Sequence, residues 1–261
     1  MAQRVGIDVS YANGTIDWPK VKPHINFCMI RAGYGSKTVD TKFKENATAC
    51  TNLKIPFGVY WFSYALNEKM AKAEARKCLA TVRPYRLSCP IAFDFEYDSL
   101  AYAKKQGVEI SASKMCSIAC AFLDEILANG YPVLLYTNKD FWFNKGFKNL
   151  GNRYPIWCAS WGTEKPAIFC TMWQDSATAH VEGIKGNVDT NYSFVEYKVT
   201  KSAEEIEEKV SEIVDNYGEI YRDIAVKIIN GEYGNGSDRI DALVGEHRDP
   251  QFAQEIVNAL M

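Results

Sequence analysis

The sequence predicts an α/β protein: an irregular eight-stranded (β/α) barrel with about five helix-backed strands, followed by a small all-α C-terminal module. Eight short apolar stretches rich in β-branched and aromatic residues recur between residues 4 and 194, and helical stretches separate the earlier ones. Strands that alternate with helices indicate a parallel sheet, and eight strands in one unit suggest a closed barrel. The later intervals, such as Gly162–Ala167, are too short for a crossover helix, so we expect the last strands to lack helices.

The predicted elements follow from apolar periodicity and from the residues that end each run. The strands are predicted at Arg4–Ser10, Phe27–Tyr34, Pro56–Tyr64, Pro90–Tyr97, Pro132–Thr137, Ile156–Trp161, Ile168–Gln174 and Val188–Phe194. The clearest helices are predicted at Thr41–Asn52, Asn67–Val82 and Ser111–Asn129. A chain with 47% hydrophobic residues can fill the core that this fold requires.

Composition divides the chain near residue 197. Residues 1–197, the predicted barrel, carry 23 Lys and Arg against 18 Asp and Glu, whereas residues 198–261 carry 7 against 14. Residues 198–218 are predicted to be an acidic helical linker, and 219–261 a small helical module. The linker has one apolar stripe, formed by Ala203, Ile206, Val210, Ile213 and Tyr217. Such a stripe favours packing on a neighbouring domain over a short coiled-coil seam.

Composition also argues against several functional classes. Nucleic-acid binding is not expected, because basic runs interleaved with aromatics and phosphate-binding glycine loops are absent from the sequence. The eight cysteines form no C-x-x-C pair and the three histidines are scattered, so we expect buried free thiols and no metal. No stretch reaches the roughly 18 apolar residues that span a bilayer, so we expect no membrane partner. The N-terminus enters a strand without a secretory signal, which predicts synthesis in a cytoplasm.

A pair of acids in the fourth predicted strand indicates the chemistry. Residues 90–98 alternate, so that Asp94 and Glu96 share the inner face of the barrel while aromatic side chains occupy the other face. Neighbouring buried carboxyls raise one another's pKa, which leaves one protonated and one ionised near neutral pH. Acid-catalysed glycoside cleavage requires such a proton donor and such an anion. The alternative is a solvated edge strand with ordinary surface acids.

Two further acids and a set of aromatic residues fit the same interpretation. Asp8 lies near the C-terminal end of the first strand, where barrel enzymes place their sites, and Asp189 opens the last strand. Sugar rings present apolar faces that pack on aromatic side chains. Aromatic residues are dense at the predicted strand ends: Tyr34, Tyr60, Trp61, Phe62, Tyr64, Tyr136, Trp157, Trp161 and Trp173. Any one of these fits core packing, but the set favours a saccharide groove.

An ordered series of motifs runs through residues 4–196: Gly6-Ile7-Asp8-Val9-Ser10, Ile16-Asp17-Trp18, Ile30-Arg31-Ala32-Gly33-Tyr34-Gly35, Gly58-Val59-Tyr60-Trp61-Phe62-Ser63-Tyr64, Asp94-Phe95-Glu96, Tyr136-Thr137, Trp157-Cys158-Ala159, Trp173-Gln174 and Val188-Asp189-Thr190-Asn191. In this series the chain resembles glycoside hydrolase family 25, the muramidases of phage endolysins and bacterial autolysins. This resemblance implies a barrel with fewer helices than strands and cleavage of the β-1,4 bond after N-acetylmuramic acid in peptidoglycan.

The resemblance also implies roles for individual residues. Glu96 would be the general acid and base, Asp94 would position or stabilise the substrate N-acetyl group, and Asp8 and Asp189 would complete the acidic cluster. The implied groove residues are Arg31, Tyr34, Tyr60, Tyr64, Tyr136, Trp157 and Trp161. No metal or organic cofactor is implied. Strand spacing leaves retention and inversion both open, and attack by the substrate's own N-acetyl oxygen is the favoured route.

The last 42 residues, Ile220–Met261, resemble a short cell-wall-binding repeat found after phage lysozyme domains. The matching elements are the segment 229–236, Arg239, Leu243 and the closing segment 257–260. The resemblance implies a module that binds a cell-wall muropeptide, although His247-Arg248 replaces the usual glycine-tyrosine. The alternative is a helical appendage that docks on the barrel or mediates homo-oligomerisation.

These features predict an endolysin that is made in a host cytoplasm and acts at the bacterial cell wall after release. A prophage lysin and an autolysin exported by another route remain open. Two other functions are alternatives: a chitinase or other N-acetylhexosaminidase on a similar barrel, and a non-catalytic wall-binding protein. The four intact acids argue against the non-catalytic protein, because an inactive descendant has no physical reason to keep uncompensated acids in a pocket.

Overall fold

The computed structural model describes residues 4–151 and 153–195. The predicted linker 198–218 and the predicted module 219–261 lie outside the described residues. The strands are β1 (Arg4–Val9), β2 (Phe27–Tyr34), β3 (Thr38–Val39), β4 (Phe57–Phe62), β5 (Ile91–Asp94), β6 (Val133–Asn138), β7 (Ile156–Ala159), β8 (Met172–Ala179) and β9 (Val188–Ser193).

Helical segments follow five of the eight barrel strands in the described part of the chain. The α-helices are α1 (Trp18–Val21), α2 (Phe43–Asn52), α3 (Glu68–Val82), α4 (Tyr97–Lys105) and α5 (Ala112–Ala128). Short 3₁₀ helices lie at Tyr11–Asn13, Lys22–His24 and Phe147–Leu150, and one π-helical turn lies at Phe141–Lys145. No helix within residues 4–151 and 153–195 has both the length and the apolarity needed to cross a bilayer.

The sheet closes into the predicted eight-stranded barrel. The barrel order is β1-β2-β4-β5-β6-β7-β8-β9, and β9 pairs again with β1. The two-residue strand β3, which the sequence analysis did not predict, pairs only with β2 at the barrel's edge in the described chain. The neighbouring pairs from β1 to β8 are parallel.

Strand β9 is antiparallel to both of its neighbours, so the prediction of a parallel sheet is wrong for this strand. Its connection from β8 spans only residues 180–187, which is too short for the crossover that a parallel strand needs. The prediction for β8 was also displaced, because the observed strand begins at Met172 rather than Ile168. The antiparallel direction carries the first residues of β9 to the C-terminal ends of the other strands.

The predicted strand Pro90–Tyr97 is too long, because β5 ends at Asp94 and α4 begins at Tyr97. Glu96 keeps an extended backbone at the helix N-cap, and its N–H donates to Ser99 Oγ at 3.1 Å. Tyr97 is 53% exposed instead of packing behind the sheet. A polar residue pair at the N-cap and N3 positions begins a helix as readily as alternation continues a strand, and the cap prevails here.

Two apolar layers lie on the two faces of the barrel wall. The interior is filled by Phe27, Met29, Cys89, Ala92, Leu134, Tyr136, Trp157, Ala159 and Met172. The alternate residues of the same strands, including Ile91, Phe93 and Leu135, pack outward against the helices. Because Asp94 follows Ala92 by two residues, its side chain points to the same interior face, above this filling.

Strand β2 passes close to its neighbours at Gly33. A Cβ at this position would overlap the Thr38 carbonyl and lie 2.6 Å from the Trp61 ring. The pairing of β2 with β4 shifts register between Arg31 and Gly33. The missing side chain therefore lets Trp61 pack beneath the strand end that carries Arg31 and Tyr34.

We expect Gly33→Ala to lower the free energy of unfolding by about 2 kcal/mol, because overpacking a rigid contact costs roughly 1–3 kcal/mol. Gly107→Ala is the control: Gly107 has φ +71° with open space around it, so only the backbone penalty of about 1 kcal/mol applies. Urea unfolding of both variants checks the difference. An equal or smaller loss in Gly33→Ala would contradict this account of the strand end.

Candidate active site

Four predicted acids come together at the mouth of the barrel. Asp8 lies near the end of β1, Asp94 ends β5, and Glu96 follows two residues later. Asp189 joins them because β9 is antiparallel, which pairs its Cα with that of Asp8 across the β1–β9 ladder. Electrostatic coupling links Asp8 with Asp189 and Glu96, and Glu96 with Asp94.

The buried amide of Gln174 on β8 ties this cluster together. Its Nε2 donates to Asp8 Oδ2 at 2.9 Å and to Asp189 Oδ2 at 3.2 Å. Its Oε1 accepts from the Tyr136 hydroxyl at 2.9 Å and from Trp161 Nε1 at 3.1 Å. An indole N–H can only donate, so the Gln174 oxygen must face Trp161 and the amide hydrogens must face the carboxylates.

Asn191 provides a second amide in the same way. It is fully buried on β9, its Nδ2 donates to Asp8 Oδ2 at 2.8 Å, and its Oδ1 accepts from Trp157 Nε1 at 2.8 Å. The donor-only indole again fixes the amide orientation. One oxygen of Asp8 thus receives two hydrogen bonds from amides that cannot turn.

Burial sets the protonation of the first acid pair. Loss of water and the nearby Asp189 carboxylate together raise the pKa of Asp8 to about 7, and the hydrogen bonds from Asn191 and Gln174 oppose the rise. Burial raises the pKa of Asp189 to about 6. Both carboxyls therefore titrate close to neutral pH rather than near pH 4.

Asp94 and Glu96 have different surroundings. Burial raises the pKa of Asp94 well above its ordinary value, with Glu96 and Asp8 acting in the same direction and Arg31 against it. Its buried Oδ1 receives no hydrogen bond from the described residues. Glu96 is partly exposed; burial raises its pKa, and the nearby polar hydroxyl of Tyr136 opposes the rise. The mouth thus holds carboxyls whose pKa values are raised by burial, and Glu96 among them is partly open to a ligand.

The aromatic residues predicted for the groove occupy three positions. Trp157, Tyr136 and Tyr60 form a floor beneath the acids, with the Tyr136 and Tyr60 rings edge-on to Trp157 at centroid distances of 4.8 and 5.9 Å. Trp157 is only 1% exposed. Trp161 stands at the rim, 56% exposed, with its N–H held by Gln174.

The third position is a side pocket of about 320 Å³. It contains the remaining predicted groove residues Arg31, Tyr34 and Tyr64, together with Tyr11, Phe62 and Asp98. Trp61 and Trp173, which belong to the aromatic set at the predicted strand ends, are buried. The Trp61 N–H donates to the Gly35 carbonyl and the Trp173 N–H to the Ser160 carbonyl.

Sequence reasoning assigned no role to Gln174, Asn191, Tyr11 or Asp98. Gln174 and Asn191 do lie within quoted motifs, next to Trp173 and two residues after Asp189, and buried amides beside acids are a usable signal. Among the described residues, no group of three or more His, Cys, Asp and Glu side chains is arranged to hold a metal ion.

Residues 7–184 match the family model described as glycosyl hydrolases family 25. The chain is 28% identical to lysozyme M1 of Streptomyces globisporus over 201 residues, covering 71% of this chain and 66% of the relative. It is 26% identical to the lysozyme of Streptococcus phage Cp-7, covering 78% and 56%. The autolysin LytC of Streptococcus pneumoniae, solved with a synthetic peptidoglycan ligand, matches with a TM-score of 0.65 and 25% identity over 74% of this chain and 47% of that one. The chain thus spans about half to two-thirds of these relatives.

We expect Asp8→Asn to stabilise the protein at pH 8 by about 2–4 kcal/mol, with much less difference at pH 4. Because the pKa rises from 3.8 unfolded to about 7 folded, the unfolded chain loses its proton first. Stability therefore falls as pH rises through this window and stays lower above it. Asparagine carries no charge, and its Oδ1 can accept both amide bonds.

Urea unfolding at pH 4, 6 and 8 measures this effect. Asp124→Asn is the matched control, since Asp124 is partly exposed and bonds Arg153 at 2.7 Å on the outer surface. The control should show no gain at pH 8. If Asp8→Asn is no more stable than the parent at pH 8, the buried Asp8 charge does not lower the free energy of unfolding as inferred.

Proposed function

Because the chain belongs to family 25 of the glycosyl hydrolases, we propose that it is a lysozyme of the muramidase type. Its reaction is hydrolysis of the β-1,4 bond between N-acetylmuramic acid and N-acetylglucosamine in bacterial peptidoglycan. The relatives named lysozyme and the autolysin solved with a peptidoglycan ligand support this substrate.

The acid pair at the end of β5 is the observation that carries the proposal. Asp94 is 6% exposed, whereas Glu96 at the start of α4 is partly open to the mouth. Burial raises the pKa of Glu96 above its ordinary value, which favours the protonated form that can transfer a proton to a leaving oxygen. A second acid beside it can interact with the part of the sugar where positive charge develops.

In the first step, Glu96 donates its proton to the glycosidic oxygen as the bond from that oxygen to C1 breaks. The 2-acetamido oxygen of N-acetylmuramic acid forms a new bond to C1, which gives a cyclic oxazolinium ion and releases the N-acetylglucosamine end. Asp94 accepts the acetamido N–H, which orients the amide as the ring closes. That N–H would supply a donor to a carboxyl that is poorly hydrogen-bonded in the free enzyme.

In the second step, the Glu96 carboxylate takes a proton from water as the water oxygen bonds to C1 and the ring opens. Glu96 is again protonated, and the product has the same anomeric configuration as the substrate. Asp8 and Asp189, held by Gln174, add negative potential to the mouth and favour the cationic intermediate. An inverted first-formed anomer in an NMR time course would rule out this route.

The groove follows the exposed aromatic side chains. Trp161 offers a free ring face at the rim, and its fixed N–H restricts the ring to one orientation. A sugar can stack on that face while the floor of Tyr60, Tyr136 and Trp157 limits how deep it sits.

For the whole protein, we propose a phage-type endolysin that acts at the cell wall. Similarity to the lysozyme of a Streptococcus phage supports this source. Residues 219–261 are proposed to bind a cell-wall muropeptide, with residues 198–218 as linker, and self-association through either segment would raise the avidity of a single weak module. These segments lie outside the described residues.

We expect Glu96→Gln to reduce release of reducing ends from purified peptidoglycan by at least ~10²-fold, because the variant has no proton to give. Asp94→Asn should lose activity to a similar degree while keeping its fold. The wild-type products should end in N-acetylmuramic acid that borohydride can reduce. Reducing-end analysis of the three digests tests the assignment.

Glu125→Gln and Asp124→Asn are matched controls on the outer face of α5, where both acids form ion pairs. Both should keep wild-type activity. Full activity in Glu96→Gln would show that the proposed acid is wrong. Reducing ends on N-acetylglucosamine alone, or cleavage of chitin oligomers without peptidoglycan, would favour an N-acetylhexosaminidase, and a wild type without activity would favour a wall-binding protein.

A further inference from the structure

The side pocket beside the acids has a different character from the aromatic floor. It lies between the C-terminal ends of β2 and β4 and the segments that follow β1, β4 and β5, and its volume of about 320 Å³ exceeds what a single water or ion needs. Its lining combines one cation and one anion with four aromatic rings: Tyr11, Arg31, Tyr34, Phe62, Tyr64 and Asp98.

The walls of the pocket are held in place from behind. Glu74 on α3 is buried, and its carboxylate accepts from Ser63 Oγ at 2.6 Å and from the Tyr64 N–H at 3.0 Å. On the other side, Arg31 Nε bonds the buried Asp40 at 2.8 Å, and the Tyr11 N–H bonds the same Asp40 oxygen at 3.1 Å. The pocket is therefore formed before any ligand arrives.

The pocket adjoins the acid proposed to hold the sugar's acetamido group. Phe62 pairs with Asp94 across the β4–β5 ladder, and the Ser63 N–H donates to the Asp94 carbonyl at 2.7 Å. Asp98 lies two residues beyond Glu96, in the first turn of α4. The acetamido group is on C2 of the sugar and the lactyl group is on C3, the next ring carbon, so a sugar whose acetamido group meets Asp94 can place its C3 substituent at this pocket.

The chemistry of the lining selects a peptide over a sugar. Each sugar of the glycan carries an uncharged acetamido group on C2, and the charged groups of the polymer lie on the peptide stem that extends from the C3 lactyl group of N-acetylmuramic acid. The Arg31 guanidinium lies 4.7 Å from the Tyr11 ring centre and 5.5 Å from that of Tyr34, and its Nη2 is buried without a partner among the described residues. Asp98 offers an exposed carboxylate on the same pocket.

We propose that this pocket receives the peptide stem of N-acetylmuramic acid, with Arg31 donating to a stem carbonyl or carboxylate and Asp98 accepting from a stem N–H or ammonium group. The inference rests on the proposed muramidase function and adds a specificity to it. The enzyme would then bind the stem on the C3 lactyl group, the substituent that distinguishes N-acetylmuramic acid from N-acetylglucosamine.

The test compares kcat/KM on two substrates: peptidoglycan glycan bearing its stems, and the same glycan after an amidase has removed them and the lactyl carboxylate that this leaves has been converted to an uncharged methylamide. Wild type should prefer the stem-bearing glycan by about tenfold, the effect of one or two charge-assisted hydrogen bonds at a partly exposed site. Asp98→Asn and Arg31→Lys should each reduce that preference about fivefold. Lysine keeps a positive charge beside Asp40 but loses the planar group that packs on two rings.

Asp124→Asn is the matched control for Asp98→Asn and should keep the full preference. If Arg31→Lys unfolds at lower urea, Tyr11→Leu, which alters a ring that is 56% exposed, replaces it in the comparison. A wild type that cuts both glycans equally, or variants that keep the full preference, would overturn the stem pocket while leaving the muramidase intact. Absence of cleavage of either glycan by wild type would instead overturn the proposed function, and the stem pocket that rests on it would fall too.

Discussion

The active-site mouth depends on one physical constraint: several carboxyls must be held close together where little water reaches them. The Gln174 amide satisfies this constraint, because its N–H groups donate to the carboxylates of Asp8 on β1 and Asp189 on β9. Its oxygen accepts from Tyr136 on β6 and from Trp161 after β7. The two donor groups at its oxygen decide which way the amide points. One uncharged side chain thus fixes both the spacing of two acids and the position of an aromatic ring.

The antiparallel β9 is the topological counterpart of this constraint. A parallel last strand would begin at the far end of the barrel, and its first residues would not reach Asp8. Reversal places Asp189 opposite Asp8 and Asn191 within reach of the same carboxylate. The cost of this arrangement is a set of buried acids with raised pKa values, tolerated because an apolar, aromatic filling beneath them supports the strands.

Local pattern predicted most of the barrel and the acid pair, because strand alternation and turn residues act over a few positions. It failed where two local rules competed, at Glu96, since an N-cap and a continuing strand share the same extended backbone. It also failed for the direction of β9, which depends on chain closure. The amide network escaped prediction because its partners are 166 and 183 residues apart in sequence, and no periodicity relates them.

The hydrogen bond between Trp161 and Gln174 couples an optical property to the acids. Trp161 is the most exposed of the six tryptophans, all of which lie in the described residues. Its indole N–H meets the amide that contacts Asp8 and Asp189, two carboxyls that titrate near neutral pH. Indole emission responds to nearby charge and to hydrogen bonding at nitrogen. The intrinsic fluorescence of the native enzyme should therefore change, without any label, as the cluster takes up protons. It should also change when a saccharide covers the Trp161 ring.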